Sequence, residues 1–104
     1  MLDSLAEAMG DATVVAPSVR AALLHARFTK RNTFFYTFMH ASDEGDYPST
    51  AGSVHGEDLI YVFGAPLISG SQLAYFSDTF TKSETSLCEG VINFWANFAR
   101  SGQV

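Results

Sequence analysis

At 104 residues the chain is one small domain at most, and 47% apolar and 13% aromatic residues exclude a disordered tail. A net charge of -5, with only six Lys and Arg, argues against nucleic acid, because phosphate contacts need clustered cations. The single cysteine, Cys88, excludes an internal disulfide and any cysteine-based zinc pattern.

Leu2 to Met9 reads as a short helix, with Leu2, Leu5, Ala6 and Met9 at helical spacing and Gly10 as its stop. Asp3 and Glu7 stand where a secretory leader carries bases, and no apolar run approaches the ~20 residues that span a bilayer. Neither a signal peptide nor a membrane segment is therefore expected within these residues. Asp11-Ala12-Thr13 offers an N-cap, and Pro17 suits a first helical turn. The spacing of Val19, Ala22, Leu23 and Ala26 predicts an amphipathic helix over about 14–28. His25 lies at the margin of its apolar face and reads as a helix-surface residue. Arg27, near its end, suits the helix dipole.

Lys30-Arg31-Asn32 is a turn, and Thr33-Phe34-Phe35-Tyr36-Thr37-Phe38-Met39 follows. This aromatic, β-branched run predicts a strand over about 33–39, buried on both faces as in a parallel or mixed sheet. A strand needs neighbours, and no second run of equal quality exists, which suggests that the chain is part of something larger. His40, directly after it, reads as a hydrogen-bonded residue at the sheet end. The polar stretch from His40 to Ser53 is long for a structural connection, and such loops are often functional.

His55 emerges from that loop. Leu59, Val62 and Phe63 then fit a helix over about 56–63 that ends at Gly64, with Pro66 as the stop. Glu57 and Asp58 read as first-turn partners of its dipole. The last element is the best defined. Thr81-Lys82-Ser83-Glu84 has the spacing of a capping box, and Leu87, Val91, Phe94, Trp95 and Phe98 form a core stripe on a helix over about 82–100. Gly102 is its C′ residue. The elements together predict an α/β class.

The chemistry legible from residue types alone is limited. There is no Gly-x-Ser-x-Gly elbow. Cys88 falls beside the apolar stripe and reads as a packed residue, since apolar surroundings raise a thiol's pKa. His25, His40 and His55 are evenly spaced with no local ligand pairing, so no metal and no cofactor is expected. On these grounds His55 reads as structural more readily than as catalytic.

Asp46-Tyr47-Pro48, Gly52-Ser53-Val54-His55-Gly56-Glu57-Asp58-Leu59 and Tyr61-Val62-Phe63-Gly64-Ala65-Pro66-Leu67 resemble the C-terminal part of the type B carboxylesterase and cholinesterase family. The tail Phe80-Thr81-Lys82, Glu84, Leu87 and Phe94-Trp95-Ala96-Asn97-Phe98-Ala99-Arg100-Ser101-Gly102 is similar to the family's following helix. Within that family the Gly45-Asp46-Tyr47-Pro48 loop and Phe63-Gly64-Ala65-Pro66-Leu67 resemble neuroligins, particularly arthropod ones.

The resemblance implies that residues 1–104 are an incomplete C-terminal portion of an α/β-hydrolase domain. It implies that His55 occupies the catalytic-His position, the general base of a serine esterase. The serine elbow, the oxyanion hole and the triad acid would lie outside these residues, so the chain itself is expected not to be an enzyme. It further implies a catalytically silent adhesion protein of the cell surface, dimeric and binding neurexin-type partners at synapses. The alternative is a fragment of an active type B carboxylesterase in which His55 is the triad base.

Overall fold

The computed structural model describes residues 2–42, 52–68 and 80–104. These fall into two compact units, Met1–Thr37 and Phe38–Val104.

The first unit is helical. Helix α1 (Leu2–Gly10) runs without a break through a π-helical segment (Asp11–Val15) into α2 (Ala16–Phe28). Gly10 does not end a helix: its φ of -59° and ψ of -46° are right-handed helical values. The Ala16 amide bonds the Asp11 carbonyl, five residues back, instead of the usual four. Pro17 supplies a physical reason for this widening. In an unbroken α-helix its ring would press on the carbonyl of residue 13, and it has no N–H to give. Thr13 adds a hydroxyl bond to the Met9 carbonyl at 2.7 Å, a back-bond that bends helices. Helix α2 ends as expected, at Phe28. Thr29 turns extended while its amide still bonds the His25 carbonyl at 2.9 Å.

Residues 33–39 form no strand, and among the described residues there is no β-strand at all. The expected α/β arrangement is replaced by a helical one in these residues. The physical reason is the missing neighbour: a strand is held by ladder bonds to another strand, and none of the described residues provides one. The expected two-sided burial fails with it. Phe34, Phe35 and Tyr36 are largely exposed and Met39 is 82% exposed.

The second unit is built on α3 (Glu57–Val62), a 3-10 turn (Ala65–Leu67) and α4 (Lys82–Ser101). Helix α3 packs on α4 around Tyr61, Cys88 and Val91, and Phe38, Ile60, Val62, Leu87 and Ile92 close over this core. Between the two short helices Gly64 has φ +82°, and a Cβ there would stand 3.3 Å from Ile92 Cδ1. Only glycine combines that backbone with that approach. Helix α4 starts at the predicted capping box and ends at Gly102, whose left-handed amide bonds the Phe98 carbonyl at 2.8 Å. Its apolar stripe is covered only over the first half: Val91 is buried, whereas Phe94, Trp95 and Phe98 each keep 45% or more of their surface exposed. Residues 43–51, within the polar stretch from His40 to Ser53, and residues 69–79 lie outside the described residues.

Candidate functional site

His55 sits on a tight turn. The Glu57 amide bonds the Val54 carbonyl at 3.0 Å, so Val54-His55-Gly56-Glu57 is a four-residue turn with His55 second and Gly56 third. Gly56 has φ +87° and ψ -3°, and among the described residues none other than glycine has a positive φ. That combination defines a type II turn, whose third position selects glycine because a Cβ would clash there. The sequence Val-His-Gly-Glu thus encodes a turn that lifts the imidazole outward, and His55 is exposed.

Glu57 closes the same turn a second time. Its Oε2 accepts the Val54 amide at 3.0 Å, and its Oε1 accepts the Ser42 amide at 3.1 Å. Ser42 in turn reaches the second carboxylate of the unit: its hydroxyl donates to Glu84 Oε1 at 2.7 Å.

Glu84 is the most informative polar residue of the molecule. It is 3% exposed in a small apolar core, where an unpaired carboxylate would be costly. It is not unpaired. Oε1 also meets His40 Nε2 at 3.3 Å and the Tyr61 hydroxyl at 3.4 Å, and Oε2 accepts the Thr81 amide at 2.7 Å. Burial by itself would raise its pKa. The bonds donated by Ser42, by the Thr81 backbone and by His40 outweigh it and bring the value from 4.5 to about 2. Two neighbours feel the same environment. Burial, then the Glu84 charge, pushes the Tyr61 phenol well above its usual range. Burial, then Glu89, raises the Cys88 thiol, which donates to the Tyr61 carbonyl at 3.3 Å.

The chemistry follows from these pairings. A carboxylate with a pKa near 2 is a very weak base at neutral pH, so Glu84 does not activate the Ser42 hydroxyl. Cys88 is fully buried with its thiol raised, as expected for a packed residue and opposite to what a nucleophile needs. The cluster of His40, Ser42, Tyr61, Thr81 and Glu84 is a satisfied polar network that ties three chain segments together. His40 is hydrogen-bonded, as expected, but to a helix carboxylate and not at a sheet end. His25 lies on the exposed helix surface as expected, its Nδ1 3.0 Å from Thr33 Oγ1. Among the described residues no group of three His, Cys, Asp or Glu is placed to hold a metal, and no helix is long and apolar enough to cross a membrane.

Sequence reasoning placed Glu84 in a capping box but missed its second role. A signal existed: Glu84 lies three positions before Leu87, where the apolar stripe begins, and among the described residues it faces a core otherwise free of charge. Glu57 was missed as a clamp, although Val54 and Glu57 have the same three-residue separation as Thr81 and Glu84.

Comparison with known families gives this geometry its context. The model of the carboxylesterase family matches residues 1–103. The chain belongs to the carboxylesterase family. It is 39% identical over 88 residues to Neuroligin-2 of Homo sapiens, an alignment covering 85% of this chain and 10% of that protein. It is 38% identical over 88 residues to Neuroligin-3 of Mus musculus, again with 85% of this chain and 10% of the relative. The carboxylesterase-family chain thus spans about a tenth of the length of the curated relatives it matches. No solved structure matches it.

Proposed function

We propose that this chain is the C-terminal portion of an α/β-hydrolase-type domain in a neuroligin-like, catalytically silent adhesion protein of the cell surface. The parent dimerises and binds a neurexin-type partner at synapses, and His55 stands at the triad-histidine position as a remnant. The observation that carries the reading is the 39% identity to a neuroligin over 85% of the chain. The site is compatible with it. His55 is exposed, and among the described residues no carboxylate bonds its ring to hold it as a base. The acids that a triad might recruit are engaged otherwise: Glu57 holds the turn backbone and Glu84 holds the core.

The 104 residues alone do not hydrolyse esters, because they carry no Gly-x-Ser-x-Gly nucleophile for His55 to serve. The test uses the ectodomain encoded by the full transcript. Surface-immobilised neurexin ectodomain should bind it saturably, and a fluorophosphonate probe should leave it unlabelled. Labelling that is abolished by His55→Ala would instead identify an active type B carboxylesterase with His55 as its base.

A further inference from the structure

One residue closes the His55 turn from both sides. The Glu57 amide donates to the Val54 carbonyl, and the Glu57 carboxylate accepts the Val54 amide, each at 3.0 Å. The two bonds form a ring around His55 and Gly56, so the backbone that carries the imidazole cannot open until Glu57 lets go of Val54. The carboxylate is itself anchored. Its second oxygen takes the Ser42 amide at 3.1 Å, and Ser42 is fixed by its hydroxyl bond to the buried Glu84 of α4 at 2.7 Å. Amide-to-carboxylate bonds are charge-assisted and stronger than bonds between neutral groups. The location of His55 is therefore referred back to the best-packed helix of the unit through two carboxylates and one serine.

The geometry points to Glu57 as the positioning residue of His55, with Ser42 and Glu84 as its backing. Glu57 acts through the backbone of the turn and takes no part in proton transfer. Its meaning for catalysis rests on reading His55 as a triad-position histidine, but the positioning itself does not. The arrangement also separates two tasks of adjacent sequence: Gly56 makes the turn possible, and Glu57 makes it stay.

The test is residue-resolved amide hydrogen exchange on the full 104-residue chain. Glu57→Ala should speed exchange of the Val54 and Ser42 amides by about tenfold or more, with the amides of Cys88 and Val91 unchanged. Glu57→Gln keeps one carbonyl acceptor and presents an NH2 group to the other amide. It should therefore deprotect one of the two amides and spare the other, a split that a general loss of stability cannot produce. Glu57→Asp, one methylene shorter, should recover protection at Val54 in part. Unchanged exchange at Val54 and Ser42 in Glu57→Ala would overturn the proposal. So would acceleration at Cys88 and Val91 equal to that at Val54, in Glu57→Ala and Glu57→Gln alike. Fluorophosphonate labelling of the parent ectodomain reports on the silent-adhesion reading alone, so either conclusion can fall without the other.

Discussion

The Ser42 hydroxyl donates to the Glu84 carboxylate at 2.7 Å across a sequence separation of 42 residues. That contact joins the segment after the aromatic run to α4. It also makes the start of α4 a junction and not merely a helix end, because the same carboxylate completes the capping box with Thr81.

Acid should unlock this junction. The folded-state pKa of Glu84 lies below its ordinary value, so its contribution is present above about 4.5 and is lost as the pH falls toward about 2. The size of the displacement corresponds to about 3 kcal/mol at neutral pH as an order of magnitude. Urea unfolding between pH 7 and pH 2.5, followed by the emission of Trp95, should show that decline. Glu84→Gln should be less stable at pH 7 and should flatten the profile.

The cap can be weakened without touching the core. Thr81→Ala removes the hydroxyl that accepts the Glu84 amide at 3.2 Å and leaves the Thr81 amide bond to Oε2 in place. A loss of about 1 kcal/mol is expected. Thr81→Ser should restore most of it, as read by thermal melting.

Two glycine-to-alanine changes should move stability in opposite directions. At Gly56, with φ +87°, alanine meets the left-handed penalty of about 1 kcal/mol although no atom crowds the site. At Gly90, inside α4 with nothing within 4 Å of the added Cβ, alanine should stabilise by about 0.5–1 kcal/mol. Paired denaturation curves check both signs.

Cys88 should behave as an inert core residue. It is completely buried and its thiol is raised by that burial, so an aromatic disulfide reagent should label the native chain far more slowly than the urea-unfolded chain. Cys88→Ala should destabilise by about 1 kcal/mol, through lost packing against Tyr61 and the lost bond to its carbonyl.

What the sequence made legible were the elements whose determinants are local. The Thr81-to-Glu84 box, the stripe begun by Leu87 and Val91, and Gly102 together located α4, and the structure runs it from Lys82 to Ser101. Glu57 to Val62 was legible as a helix for the same reason. The aromatic run over 33–39 was misread because strand propensity measures fit to a pleated, half-buried surface, and no described residue supplies that surface. Gly10 was misread as a stop because a glycine ends a helix only when it adopts a left-handed backbone, and here it does not. The network on Glu84 was invisible for a third reason. His40, Ser42 and Tyr61 are ordinary polar residues until folding brings them onto one oxygen, and no periodicity marks a contact 23 to 44 residues away.

The π-helical segment Asp11–Val15 amounts to a built-in insertion. One residue more than an α-helix requires is stored in a single widened turn, and each residue of an α-helix rotates the chain by roughly 100°. The side chains of α1 and α2 are thus clocked against each other by that stored residue. Removing a single residue there, such as Ala12, would reset that angle in one step. The faces bearing Leu5 and Met9 on one side, and Val19 and Leu23 on the other, would change their alignment along the axis while composition stayed almost constant.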